Sequence, residues 1–295
     1  MKLRWIILIC IIIFLIFFHI SFLRYLNIDR LGVEGDIPKY DPTKRVAICI
    51  SGQFRDIEEC LQNHKCLAPL NADIFIFVDD NLKIDEKRKI EKFYMPVKCI
   101  WDSEDVKPLK QYPVNMLRMF KRIYYCDLLR RRAEEEGGFK YDVVVRMRPD
   151  LIFKEYLPVG VVNNIPANTL LIPIHHKYDF WWTKIFGPTD MFAVGDSKTM
   201  SIYSNCWLNL ENLEVDTCPG EKIIFNHYMD DIPNIRTFKY NLVLYSMRFK
   251  WDIWSISNII KTKVIGKKEF WYPNSLQKCV KNNRLSEIKI KFLDI

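Results

Sequence analysis

The sequence predicts an α/β protein: a mostly parallel sheet with helices on both faces, preceded by one transmembrane helix. Three observations carry that expectation. From Arg45 onward, short apolar runs alternate with helix-type segments, the order of strand–helix–strand units. The runs are continuous rather than alternating, as in RVAICIS and DIFIFV, and a strand that is apolar on both sides belongs to a sheet covered on both sides. Ahead of them lies Trp5–Leu23, WIILICIIIFLIFFHISFL. At about 1.5 Å per residue this run crosses a hydrocarbon core roughly 30 Å thick.

The elements follow in order. Lys2 and Arg4 precede the apolar run and Arg24 follows it. The run is longer than the apolar part of a signal peptide and has no small-residue cleavage site. It reads as an uncleaved signal-anchor, with residues 1–4 a cytosolic stub, 5–23 the span and 24–43 a polar stem carrying Gly32, Gly35, Pro38 and Pro42. Arg24 and Arg30 lie close behind the span, so the positive-inside count alone does not orient it. A short stub before a long C-terminal part makes a single-pass, type II topology the expectation. The membrane would be Golgi or ER for a eukaryotic or viral source and the inner membrane for a bacterial one. A folded domain is expected over 44–247. Its strands are Arg45–Ser51, Asp73–Val78, Val97–Trp101 and one opening at Tyr141–Val145, with later ones at Leu170–Ile174, Met191–Val194 and Leu242–Tyr245. Between them, helices are expected over Asp56–Leu67, Asp85–Phe93, Val114–Glu136, Ser197–Trp207 and Pro219–Met229. The long one starts after Pro113 and stops at Gly137-Gly138, the usual asymmetry of helix ends. Its Arg130-Arg131-Arg132 run has a Glu four residues after each Arg, which reads as a self-neutralised, solvated helix end.

Composition narrows the function classes. An apolar fraction of 49% and an aromatic fraction of 14% exclude wholesale disorder. The net charge of +8 invites a nucleic-acid reading, but residues 44–247 carry 28 basic and 28 acidic side chains. The excess sits in residues 248–295, with 11 Lys/Arg against 4 Asp/Glu and Trp251, Trp254 and Trp271 interleaved. This basic extension is expected to pack back on the domain, and no nucleic-acid partner is expected. The nine cysteines show neither CxxC nor Cys/His zinc spacing. Walker A and GxGxxG loops are both absent, which argues against P-loop and dinucleotide-binding proteins.

Ligands of an open α/β sheet bind at the carboxyl ends of its strands. Three such ends are polar here. Ser51-Gly52-Gln53-Phe54-Arg55 combines a glycine that admits close backbone approach with an arginine suited to a phosphate. Asp79-Asp80 is a carboxylate pair fit for Mg²⁺ or Mn²⁺, and equally for a turn before the Asp85 helix. In YDVVVRMRPDLIF, Arg146, Arg148 and Asp150 are spaced by two, so a continuous strand would place all three on one face, toward a crevice. Two arginines suit a diphosphate, and a carboxylate suits its metal. An acid that deprotonates a hydroxyl has two candidates, Asp190 and Glu221. Glu221 equally suits the N-terminus of the helix that follows Pro219-Gly220. His175-His176 and His227 have no spacing that favours a metal.

RVAICISGQFR, ADIFIFVDD, YDVVVRMRPDLIF, TDMFAVGD and PGEKIIFNHY occur in this order. Together they resemble glycosyltransferases of the WavE lipopolysaccharide-synthesis type over roughly residues 44–245, with the RxRPD segment the most specific part. The resemblance implies a GT-A-like, Rossmann-like catalytic domain over 44–247 that binds a nucleotide-diphosphate sugar and transfers the sugar to a glycan or glycoconjugate acceptor. It implies that Gln53 and Arg55 line the nucleotide site; Ser51 and Gly52, at the same strand end, and Arg146 and Arg148, in the segment that stands where other such enzymes carry an Asp-x-Asp metal motif, complete the expected donor-site set. It also implies that Asp150 stands in the place of an Asp-x-Asp metal motif, with Asp79 and Asp80 as a rival site for Mn²⁺ or Mg²⁺. Arg148 occupies the position of the first Asp of that motif, so an arginine replaces part of the cation's charge. Two other classes remain open on sequence: a glycan-binding protein that kept the fold without turnover, and a metal-dependent phosphate-ester hydrolase using Asp79-Asp80.

Overall fold

The run VAICISG forms the central strand, β1 (Val46–Gly52), of a computed structural model that describes residues 33, 35–103, 105–109, 112–174, 190–212, 227, 231–239, 242–244 and 291–292. The span expected at 5–23, Glu221, His175-His176 and the tryptophans of the basic extension lie outside the described residues. Among the described residues no helix is long and apolar enough to cross a membrane.

After β1 come α1 (Ile57–His64), β2 (Asp73–Asp79), α2 (Ile84–Tyr94), β3 (Lys98–Asp102), α3 (Val114–Gly137) and β4 (Val143–Met147). Then follow β5 (Leu151–Phe153), α4 (Val159–Asn163), β6 (Thr169–Ile174), β7 (Phe192–Gly195), α5 (Ser197–Ser204), α6 (Cys206–Asn209), β8 (Asn234–Lys239), β9 (Leu242–Leu244) and β10 (Lys291–Phe292). The main sheet has the order β10-β8-β6-β7-β4-β1-β2-β3, and β5 with β9 forms a separate two-stranded ribbon. Pairing is parallel from β4 through β1 and β2 to β3, and again between β6 and β8. Only β7 runs against its neighbours β4 and β6. The mostly parallel sheet expected from the sequence is therefore present, with one reversed strand.

The continuous apolar runs have the packing that explains them. Along β1, Val46, Ile48 and Ile50 enter one core with Leu61 of α1 and Ile90 and Tyr94 of α2. Ala47 and Cys49 enter the other, with Leu117, Phe120, Ile123 and Cys126 of α3. Each large apolar side chain so buried contributes about 1.5–3 kcal/mol. Gly138 ends α3 with φ 65° and donates its N–H to the carbonyls of Glu134 and Glu135, a left-handed cap that favours glycine.

Four expectations need correction. The helix drawn over Asp56–Leu67 stops at His64 and tightens into a 3₁₀ turn, Lys65–Leu70, because Pro69 cannot donate to an α-helical ladder. The strand opening at Tyr141 is not continuous to Phe153: β4 ends at Met147 and a turn holds Pro149 and Asp150. Pro149 has no N–H with which to extend the ladder and the chain turns there, so positions 146, 148 and 150 do not share a strand face. Both β5 and β8 were missing from the sequence reading. Lastly, the arginine run near the end of α3 is solvated only in part: Arg132, Glu135 and Glu136 are exposed, but Arg130 and Glu134 are not. Arg130 and Glu134 are 0% and 1% exposed. The guanidinium of Arg130 bonds Glu134 at 2.6 Å, Asp127 at 2.8 Å and the hydroxyls of Ser197 and Ser201 at 2.8 and 2.7 Å. Of the expected i,i+4 pairs Arg130–Glu134 is present, while Arg131 turns back to Asp127; with Ser197 and Ser201 the buried pair pins α3 to α5.

Candidate functional site

β2 and β3 lie on one side of β1, and β4 lies on the other. The chain therefore reverses its direction of sheet growth between β1 and β4, and a crevice opens outside the carboxyl ends of these two strands. The residues after each strand meet there. Gly52 has φ 138°, and a Cβ at this position would lie 3.2 Å from Cδ of Pro149. The turn after β1 and the turn after β4 are thus in contact, and only glycine permits both the angle and the approach.

Charged side chains close around that contact. Asp150 is fully buried. Arg148 grips it with two parallel bonds, Nε to Oδ1 and Nη2 to Oδ2, each 2.9 Å. Arg55 adds a longer contact, Nη1 to Oδ2 at 3.5 Å, and its Nη2 donates to Gln53 Oε1 at 3.3 Å. A buried carboxylate is tolerable only when paired this way, and the fork geometry is one that arginine supplies and lysine does not. Arg148 and Arg55 stay 21% and 43% exposed at their side chains. Two guanidiniums around one carboxylate leave one positive charge unmatched among these three groups.

Arg146 lies elsewhere. It is 2% exposed and sits beside Cys49 of β1 and Ala193 of β7 in the sheet register, on the α3 side. Its Nη1 donates to the carbonyl of Asp190, while Nε and Nη2 have no hydrogen-bond partner among the described residues. Burial holds its pKa below the usual guanidinium value. Ser51 is also fully buried, and its hydroxyl has no hydrogen-bond partner among the described residues. Arg146 and Ser51 therefore underlie the crevice, and the expectation of three charges on one face is corrected: Arg148 and Asp150 are brought together, and of the three only Arg148 is partly exposed. Asp190 is brought to the same place, just ahead of β7. Its carbonyl is bonded by Arg146, and the next carbonyl, that of Met191, accepts from the backbone N–H of Arg148 at 3.0 Å.

Asp79 and Asp80 are not brought to this group. Asp79 ends β2 and Asp80 follows it; they stand at the same carboxyl edge, just past Val78, the register partner of Gly52, but on the β2 side of β1 rather than between β1 and β4. Asp79 pairs with Arg122 at 3.1 Å and Asp80 with Lys87. Asp79 stands beside Asp102 in the β2–β3 register, and Asp102 pairs with Lys121 at 3.0 Å and Arg122 at 3.6 Å. Asp102, Lys121 and Arg122 were missed by the sequence reading. The signal was present in the KCIWD strand, since each of the strands β2 and β3 ends on an aspartate.

Among the described residues no three His, Cys, Asp or Glu side chains come together to hold a metal. Each carboxylate named for one is instead matched to a cation: Asp150 to Arg148 and Arg55, Asp79 to Arg122, and Asp80 to Lys87. The described residues do not by themselves fit a divalent cation. Of the histidines, His227 is packed, with Nε2 donating to the carbonyl of Ile202 at 2.9 Å. A cleft of about 390 Å³ opens between α1 and α2, lined by apolar Phe54, Ile57 and Leu82, by Arg55 and Lys89, and by Asp56, Glu58, Glu59 and Glu86.

No family model matches the chain, and no curated protein matches it. Solved structures do resemble it. One is a glycosyltransferase involved in the glycosylation of the major capsid of PBCV-1, at TM-score 0.39 and 13% identity, covering 66% of this chain and 82% of that one. Another is the mannosyltransferase PcManGT from Pyrobaculum calidifontis, in complex with GDP-Man and Mn²⁺, at TM-score 0.41 and 12% identity, covering 90% of this chain and 76% of that one. Both likenesses are distant.

Proposed function

We propose that the chain is a glycosyltransferase that takes a sugar from a nucleotide-diphosphate donor, held to a membrane by residues 5–23, and passes it to a glycan or glycoconjugate acceptor. The observation that carries this reading is the crevice at the β1/β4 switch point, where Arg148 and Arg55 flank the buried Asp150. A nucleotide placed there sets its diphosphate against the two guanidiniums and its neutral rings toward the cleft of Phe54 and Leu82. In sugar transfer, negative charge develops on the departing diphosphate, and fixed guanidiniums stabilise it without reorganisation. Asp190, beside Arg148, is the described candidate for the acid–base group. Glu221 remains the alternative proposed from the sequence. The hydrolase reading loses its ligands, because Asp79 and Asp80 are each held by a cation on the other side of β1.

The test is thermal melting of the full chain against nucleoside diphosphates and their sugars, each with Mn²⁺ and with a chelator. A ligand at 100 times its Kd stabilises the native state by about 2.7 kcal/mol. At least one donor is expected to raise Tm. The rise should persist in chelator, because Arg148 and Arg55 supply positive charge, and it should vanish in Arg148→Ala. A flat response to every donor would overturn the reading.

A further inference from the structure

We propose that Asn63 and His64, at the end of α1, are positioning residues that hold the Asp150 carboxylate in the donor crevice; the inference rests on the reading of that crevice given above. Asp150 is followed directly by β5, and β5 is tied to α1 by side chains rather than by a sheet. Asn63 acts as one rung of a missing strand. Its Nδ2 donates to the carbonyl of Phe153 at 2.8 Å, and its Oδ1 accepts from the Phe153 N–H at 2.7 Å. His64 Nε2 donates to the carbonyl of Leu151 at 2.8 Å. A carbonyl only accepts, so Nε2 carries the proton and Nδ1 accepts from the hydroxyl of Tyr94. All three side chains are buried, at 2%, 2% and 6% exposure.

Apolar residues would fill this volume at less cost, because an amide and an imidazole are tolerated inside only when bonded. What the polar pair adds is register. It fixes two carbonyls and an N–H in the three residues that follow Asp150. The alternative support for β5 is its pairing with β9 over Leu151–Phe153, a two-stranded ribbon too small to be rigid alone. The start of α1 bears on the same site. The thiol of Cys60 donates to the carbonyl of Arg55 at 3.3 Å, so one helix fixes both Arg55 and, through β5, the carboxylate that Arg55 faces.

The test is a double-mutant cycle on the full chain, with UDP, GDP, ADP, CDP and dTDP titrated calorimetrically well below every Tm. His64→Leu is expected to weaken diphosphate binding about ten-fold. In an Asp150→Asn background the same change should cost almost nothing, because the two substitutions act through one group. His64→Gln, which keeps a donor for the Leu151 carbonyl, should recover most of the affinity. A merely structural role would lower Tm in both backgrounds and leave affinity unmoved, or would add to the loss from Asp150→Asn; either result overturns the inference alone. If the parent chain binds none of the five diphosphates, the donor-site reading falls and takes this inference with it. Should His64→Leu fail to fold, Tyr94→Phe replaces it in the cycle, with the same non-additive outcome expected and additivity counting against it.

Discussion

Two arginines separated by one residue have opposite fates. Arg148 stays at the crevice on a bidentate carboxylate, whereas Arg146 is sealed beneath the sheet with two nitrogens that have no partner among the described residues. Spacing by two was legible in the sequence; the turn at Pro149, which separates these fates, packs its ring against Gly52, a residue 97 positions away, and that approach has no local signature. The same holds for His64. Nothing in IEECLQNH marks its last residue as special, because its partners, Tyr94 and the Leu151 carbonyl, come from two other elements. Burial pushes the His64 pKa from 6.5 down to about 4, against the opposing pull of the Leu151 carbonyl and Asp150. The unfolded chain takes up this proton near its ordinary value and the folded chain resists it. The resulting stability is complete above about pH 6.5 and is lost as pH falls toward 4, by an amount on the order of 3 kcal/mol. Urea unfolding of the parent and of His64→Gln across pH 4–7 checks this: the acid decline is expected to be shallower in the variant, and equal slopes would contradict it.

At the scale of elements, the strands were the most legible part. β1 and β2 are apolar on both faces and are buried on both, so their runs announce a covered parallel sheet. β5 and β8 were not legible, since three residues after a proline turn and NIRTFK with its alternating polar positions carry little apolar signal. The end of α3 shows the limit of charge patterns. An Arg–Glu pair at i,i+4 looks the same on a wet helix and at a helix–helix interface. What decides between them is Ser197 and Ser201 on α5, which complete the guanidinium's bonds. Breaking one side of such a buried pair leaves an uncompensated charge, so Glu134→Gln is expected to cost about 3–5 kcal/mol. Chemical denaturation checks the value, and a loss below 1 kcal/mol would show the pair to be solvated after all.

Across the whole molecule, the basic balance that suggests a nucleic-acid partner belongs to residues 248–295, while residues 44–247 are neutral in sum. Among the described residues, Arg55 and Arg148 are brought together by topology: the sheet reverses between β1 and β4, and the residues after these two strands meet. The sequence led to Gln53, Arg55, Arg148 and Asp150, and the fold assembles all four, with Asp190 alongside. It did not separate them from Asp79 and Asp80, because strand order, which places these two on the other side of β1, is a long-range property. The central claim is that this crevice drives sugar transfer, and the most direct measurement is release of nucleoside diphosphate from a panel of nucleotide-sugars by the full chain and by Arg148→Ala. The account predicts turnover of at least one donor, with kcat lowered by about 10²–10³ in the variant, the usual loss when one fixed donor to a developing anion is removed. Turnover of no donor, or equal turnover by both proteins, would contradict it.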